Sequence, residues 1–400
     1  MTDYAKTGLI LTGGGARASY QVGVLRAIAN LLKEAGWPAA QNPFPIICGT
    51  SAGAINATAL ACSADNFGAG LRRLERIWSN IEAEQVYKAD SLAMLRSGAT
   101  WLSLLSFGWM VRKWIKTPPS SLFDNSPLAE LLVKALDFSG LDAGMASGTL
   151  HALAITASSY TTGMHLTFYQ TLANIDPWVR SQRLAQRDFI TVQHLLASSA
   201  IPFILPSIPL NWNGALEYCG DGSMRQLAPI SPAIHLGAEK VLIIGAGRMS
   251  ETRRDMPEAV TYPSIAQIAG HAMSSIFLDS LAVDIERMNR INRTLAMLPA
   301  ELRTHSELRP VETLVIAPSE RIDEIATRHI KSLPAPIRVM LGGIGATEVR
   351  GSALASYLLF EASFTNELIA LGFSDAMNKK DEVLAFFGDG AERQQVAKTA

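Results

Sequence analysis

The sequence predicts an α/β protein in three layers, with strands buried on both faces of a mostly parallel sheet and helices on either side. Two observations lead to it. Short, nearly unbroken apolar runs alternate with helical stretches from the start of the chain, and the 400 residues are 48% hydrophobic and 18% charged, enough apolar content for a large core.

Taken in order, "GLILT" from Gly8 reads as the first strand and "ARASYQVGVLRAIANLLKEAG" from Ala16 as the helix behind it. "FPIICG" from Phe44 and "AGAINATALACSA" from Ala52 repeat the unit. Further strands are expected at "LHALAITAS", "MHLTFYQ", "ALEYCG", "KVLIIGAG" and "ETLVIAP", the last ending at Pro318, and one sheet accommodates them all. Residues of about 70–148 form an insertion read as a helical cap or side wall, in which "NSPLAELLVKAL" sets Pro127 at a first helical position. From Pro263 to Leu298, the residues Ile265, Ile268, Ala272, Ile276, Leu281, Ile285 and Met288 recur at mostly helical spacing, which predicts a packed helix pair. "SALASYLLFEASFTNELIALGF" from Ser352 adds helix, and the polar tail reads as frayed. The organisation expected is a main domain over 1–320, carrying the insertion, and a helical C-terminal region over 321–400 packed on it or extending it.

Lys and Arg number 35 against 36 Asp and Glu, so a net charge of -1 leaves no electrostatic footprint for nucleic acid and makes any membrane contact local. Cys48, Cys62 and Cys219 are odd in number, far apart and in apolar or small-residue surroundings, which suits buried thiols in a reducing compartment. The opening "MTDYAKTGLILTGGGA" lacks a basic leader and a long apolar segment, so the chain is expected in the cytoplasm. No apolar run approaches the roughly 20 residues of a spanning helix.

"LILTGGGARASYQVGVL" sets Gly13, Gly14 and Gly15 directly after a strand and before a helix, where several N–H groups converge on one point at a positive helix end. Phosphate binding and oxyanion stabilisation both use such a loop. Neither G-x-G-x-x-G nor a Walker lysine is present, and the glycines fit an oxyanion hole better. "GTSAG" then places Ser51 between Gly49 and Gly53 in the G-x-S-x-G pattern, after an apolar strand and before an Ala-rich helix. Ser51 is therefore a candidate nucleophile, the alternative being a plain helix cap.

A serine hydroxyl needs a base within hydrogen-bond reach. The seven histidines, His151, His165, His194, His235, His271, His305 and His329, all lie outside Gly-rich loops after strands. Asp221, in "LEYCGDGSM", follows a strand between two glycines where a ligand can approach, and is the better candidate. Arg17 reads either as a support of the glycine loop or its oxyanion, or as a solvated charge at a helix start.

The blocks "GGGARASYQVGVLRAI", "GTSAG", "ASSAIPFILPSI" and "DGS", in this order between about Gly8 and Gly247, resemble the patatin-like phospholipases, lipid acyl hydrolases with a Ser-Asp dyad. The resemblance implies a patatin-like fold, Ser51 as nucleophile and Asp221 as base. It also implies Gly13, Gly14, Gly15, Ala16 and Arg17 as the oxyanion element, and hydrolysis of phospholipid or lysophospholipid esters through an acyl-enzyme. Two positions depart from the pattern. Ser223 stands where Gly or Ala is usual, and its hydroxyl could bind Asp221 and lower its basicity; Leu205 replaces an aromatic and keeps the wall apolar.

No cofactor or metal is expected, since the chain has no H-E-x-x-H, no paired cysteines and no Asp-rich loop. In "WLSLLSFGWMVRKWIK", Trp101, Leu105 and Trp109 share one helical face, with Arg112 and Lys113 at one end, which reads either as a peripheral contact to the inner membrane face or as a packed helix with a basic C-terminus. The expected partner is a lipid ester, and a homo-oligomer is compatible with the sequence. Two other functions are carried forward: an esterase or thioesterase with a Ser-His-Asp triad, and a non-catalytic protein that binds lipid or nucleotide through the glycine loop.

Overall fold

The computed structural model describes residues 6–88, 121–248, 262–303, 305–306, 308–346 and 351–388. The helix read around Trp101, Trp109, Arg112 and Lys113, and the polar tail, lie outside these residues.

The first two βα units are β1 (Thr7–Leu11) with α1 (Ser19–Glu34), and β2 (Ile46–Thr50) with α2 (Ala52–Ala61). Next come α3 (Phe67–Ser79), whose first turn is capped by the Asn66 side chain, α4 (Ser126–Ala135), with Pro127 in its first turn, and α5 (Ser139–Ser147). The chain then enters β3 (Ala152–Ser159), β4 (His165–Thr171), β5 (Val179–Arg180), β6 (Arg183–Arg187), α6 (Val192–Ser198), β7 (Ile208–Trp212) and β8 (Ala215–Asp221). After α7 (Ser231–His235), β9 (Lys240–Ile244) and β10 (Glu312–Ile316) close the far edge of the sheet.

Among the described residues all ten strands join one sheet, whose main path runs β10-β9-β1-β2-β3-β4-β6-β5. The first five of these run parallel; β4 is antiparallel to β3. Successive residues of each central strand face opposite layers. Leu9, Leu11, Ile47, Leu153, Ile155, Leu242 and Ile244 pack into the larger core with α1, α2 and α3, whereas Ile10, Ile46, Cys48, Ala154, Val241 and Ile243 face α7 and the later helix Ser280–Met297. This two-sided burial is why the strands read as continuous apolar runs. The short outer strands β5, β6 and β7 escape that reading because "RLAQR" and "IPLNW" carry no such run and are half exposed.

The segment expected as a packed helix pair is one continuous helical run: α8 (Ile265–Ser274), a π-turn (Ser275–Asp279) and α9 (Ser280–Met297). Its buried stripe is Ala266, Gly270, Phe277, Leu281 and Met288, and Ile265 and Ile268 are exposed. The π-turn adds a residue to the repeat and so rotates the stripe off the positions that a strict helical period selects. By length and composition Ile265–Met297 is long and apolar enough to cross a membrane. Leu281 and Met288 nevertheless pack under the sheet, and Asp284 accepts a hydrogen bond from the Ile230 N–H.

The C-terminal helices among the described residues are α10 (Ile322–His329), α11 (Ala335–Gly343), α12 (Ser352–Leu358), α13 (Ala362–Asn378) and α14 (Lys380–Phe387). Of these, α13 lies along α1. Tyr20 Oη donates to Asp375 at 2.9 Å, and a β-carbon on Gly23 would sit 1.9 Å from the Ile369 carbonyl oxygen. Backbone meets backbone here, so Gly23→Val is expected to lower stability by about 1–3 kcal/mol, read from its urea unfolding midpoint. A parental midpoint would mean that α1 and α13 are not held at this distance.

Candidate active site

Thr50, the last residue of β2, pairs with Thr156 of β3, and the next residue of β3, Ala157, pairs with Asp221, the last residue of β8. β2 and β8 thus enter the same slot beside β3 from opposite directions, and their C-terminal ends meet. Ser51 and Asp221 stand on the two sides of that meeting. Ser51 Oγ donates to Asp221 Oδ2 at 2.6 Å, with the serine 1% and the aspartate 0% exposed.

Ser51 holds φ 55° and ψ -131°, a conformation that costs a non-glycine residue on the order of 1–3 kcal/mol. The surroundings impose it. A β-carbon on Gly53 would lie 2.3 Å from the Leu11 carbonyl oxygen, so the turn into α2 folds tightly against the end of β1. Ser51 N–H donates to Ser198 Oγ at 2.9 Å, and the N–H groups of Asp221 and Gly222 donate to the carbonyls of Ala200 and Ser198. The "ASSAIP" block therefore holds both strand ends at once. Ser198 is a site residue that the sequence reading missed, although the block that contains it was singled out.

Burial pushes the Asp221 carboxyl up to about 6, against the hydrogen bond from Ser51 and the Ser223 N–H, which donates to Oδ1 at 2.8 Å. The Ser223 hydroxyl has no partner of hydrogen-bonding geometry; it rests, buried, against Gly13. Its expected bond to Asp221 is made by its backbone instead.

The glycine loop shows a clear asymmetry. Several of its carbonyls are occupied: Thr12 O accepts from Gln21 Nε2, Gly14 O from Arg17 N–H, Ala16 O from Ser19 Oγ and Ala18 O from Asn56 Nδ2. Asn56 is fixed in turn by Gln21 and by Trp78 Nε1. The N–H groups of Gly13, Gly14, Gly15 and Ala16 donate to no described residue. Such a loop can receive an anion. Gln21, Asn56 and Trp78 read in sequence only as helix positions, because their partners are brought to them by packing.

Of the two readings of Arg17, the solvated charge at a helix start does not hold. Arg17 is 5% exposed, so it is no solvated charge; its own N–H is bonded within the turn, and its guanidinium points to α12, away from the loop's donors. It is therefore removed from the oxyanion donors. Among the described residues no histidine hydrogen-bonds Ser51. His194 Nδ1 accepts from Thr191 N–H at the start of α6, His235 stacks on Trp178, and His329 pairs with Glu367. Burial holds His165 down at about 4. No group of three or more described His, Cys, Asp and Glu residues is arranged to hold a metal ion.

From Ser51 and Gly15 a narrow cleft with about 70 Å³ of free space runs between α2, α3 and α4. Its walls are apolar, with Ile55, Leu74, Ile77, Leu132, Ile201 and Leu205 among them. A hydroxyl bonded to a buried carboxyl, unbonded loop N–H groups beside it and an apolar cleft leading away form equipment for acyl transfer to or from an apolar chain.

The fold is a mixed α/β scaffold with a mostly parallel central sheet, and its site holds the groups that acyl transfer uses. The patatin-like phospholipase family model matches residues 9–234, more than half of the chain, and the chain belongs to that family, whose class of reaction is lipid ester hydrolysis. Two solved structures align with most of the chain. VipD from Legionella pneumophila is 13% identical, with 95% of this chain and 67% of that one covered and a TM-score of 0.32. The type III effector protein ExoU is 13% identical, with 95% of this chain and 53% of that one covered and a TM-score of 0.35, so this chain spans about half of ExoU. No curated protein matches the chain.

The raised Asp221 pKa has a consequence for stability. A carboxyl of pKa about 6 in the fold and 3.8 ordinarily favours the folded state below pH 3.8 and loses that contribution as pH rises through 6. Asp221→Asn removes the loss, and is expected to stabilise the protein above pH 6 by up to about 3 kcal/mol, the gain fading toward pH 4. Thermal unfolding of the two proteins across this pH range checks it.

Proposed function

We propose that the protein is a serine lipid acyl hydrolase of phospholipase A or lysophospholipase type, with Ser51 as nucleophile and Asp221 as its base. The observation that carries this reading is the 2.6 Å hydrogen bond from Ser51 Oγ to a fully buried carboxylate at the head of an apolar cleft. An acyl chain lies in the cleft with its ester carbonyl at Ser51. Asp221 Oδ2 takes the hydroxyl proton as Oγ attacks, and the N–H groups of the Gly13–Ala16 loop receive the oxyanion, each such donor being worth on the order of 3 kcal/mol in the transition state. Collapse expels the alcohol, which takes the proton from Asp221. A water then gives a proton to the same carboxylate and attacks the acyl-enzyme, and the fatty acid leaves as the proton returns to Ser51.

A carboxylate held near 6 is a stronger base than an ordinary aspartate and is still ionised at neutral pH. The reading of a Ser-His-Asp triad finds no support in the partners of the seven histidines. The unpaired thiols, of which Cys48 and Cys219 are buried, agree with a cytoplasmic setting.

A fluorophosphonate probe is expected to label Ser51 in the parental protein and to leave Ser51→Ala unlabelled. Asp221→Asn is expected to lower hydrolysis of phospholipid vesicles by at least about a thousandfold while the protein stays folded. Label on another residue, or vesicle hydrolysis by Ser51→Ala at the parental rate, would sink the dyad; lipid binding without label would favour the non-catalytic reading. Because the base must be ionised, kcat/KM is expected to rise with pH through a midpoint near 6. Ser223→Ala, which keeps the backbone N–H bonded to Asp221, is expected to leave that midpoint in place.

A further inference from the structure

The outer side of the glycine loop is closed by α12, which lies beyond the family-matched residues 9–234. Gly15 has φ +55°, and a β-carbon on it would sit 2.2 Å from the Tyr357 carbonyl oxygen. Two residues on, the Arg17 side chain crosses to the same helix. Its Nε donates to Ser356 Oγ at 2.7 Å and its Nη2 to the Ala353 carbonyl at 3.2 Å, and the guanidinium carbon lies 4.1 Å above the centre of the Tyr357 ring. No carboxylate of the described residues is within ion-pair distance of this buried charge. A guanidinium held by neutral groups alone depends on all of them being in place.

A second contact comes from the π-turn. Phe277 lies against the α-carbon of Gly13 and stacks on Tyr357 at 5.0 Å, so the aromatic pair grips the loop at two of its glycines. The same C-terminal segment also reaches the acyl cleft. Leu358 and Phe360 line it, and the Leu358 carbonyl accepts from Tyr87 Oη at 2.6 Å. One short helix thus touches the donor loop and the chain-binding wall together.

We propose that α12 positions the oxyanion loop through Arg17, making the C-terminal region a working part of the active site. Arg17 is a positioning residue: it touches no reacting atom, and fixes the direction of the N–H groups that do. This rests on the reading of Ser51 and Asp221 as nucleophile and base.

The test compares full-length Arg17→Met and Ser356→Ala, and the two combined, with the parent. Arg17→Met is expected to lower kcat on a short p-nitrophenyl ester by about 30- to 100-fold, as loss of aligned oxyanion donors does. KM stays within about twofold, labelling of Ser51 by fluorophosphonate slows in parallel, and the pH midpoint stays where Asp221 sets it. Ser356→Ala gives a smaller loss, and the combined variant is no worse than Arg17→Met alone because the two side chains act as one unit. Arg17→Lys, which cannot reach both acceptors, does not restore kcat. Amide exchange of the peptide covering the glycine loop accelerates in Arg17→Met by about tenfold or more, a readout independent of turnover.

Parental kcat in folded Arg17→Met, a loss confined to KM, or additive losses in the combined variant would overturn the proposal. Failure of the parent to label at Ser51 would instead remove the dyad, and the exchange of the loop would still decide whether α12 holds it.

Discussion

The site depends on one constraint: β2 and β8 occupy the same slot beside β3 and end against each other. A sheet position has hydrogen-bonding room for one strand, so two strands entering from opposite ends must stop where they meet. With Thr50 paired to Thr156 and Asp221 to Ala157, the stop falls between Ser51 and Asp221. The register places a hydroxyl and a carboxyl within 2.6 Å although 170 residues separate them in sequence. The strained backbone of Ser51 follows from the same meeting, because the chain must leave the slot at once into α2.

Burial at this junction acts on the two groups in different ways. It withholds water from Asp221, which raises its proton affinity, while the Ser223 N–H and the Ser51 hydroxyl keep the ionised form accessible. A carboxylate with less help would stay protonated, and one with more would be a weaker base. The glycine loop works by the opposite device. Several of its carbonyls are tied down by Gln21, Ser19, Asn56 and the turn itself, its N–H groups donate to no described residue, and Gly15 lines the cleft. Electrostatic stabilisation of this kind needs no reorganisation when charge develops, since the dipoles are already fixed.

Fixing them takes material from the whole length of the chain. Trp78 from α3 holds Asn56 of α2, which holds α1, and α12 and the π-turn close the outside. α13 then binds α1 so closely that only glycine fits at Gly23. The C-terminal helices are thereby joined to the N-terminal unit that carries the glycine loop.

Much of this was legible in the sequence. Two-sided burial writes the central strands as apolar runs, and steric necessity writes glycines around Ser51, so the α/β class, the serine turn and the aspartate between Gly220 and Gly222 could be read directly. The outer strands and the exposed face of α8 could not, because β5 to β7 are half solvated and the π-turn shifts the helical period. Nor could the partners of Ser198, Asn56 and Arg17. Local pattern records what a residue's own segment requires of it, in backbone shape and in which side is buried. By itself the sequence determined the fold class and the reactive pair of residue types. Only the tertiary structure decided that Ser51 meets Asp221 and not a histidine, and that Arg17 turns to α12, because a long-range hydrogen bond depends on how distant segments pack and leaves no periodicity in either of them.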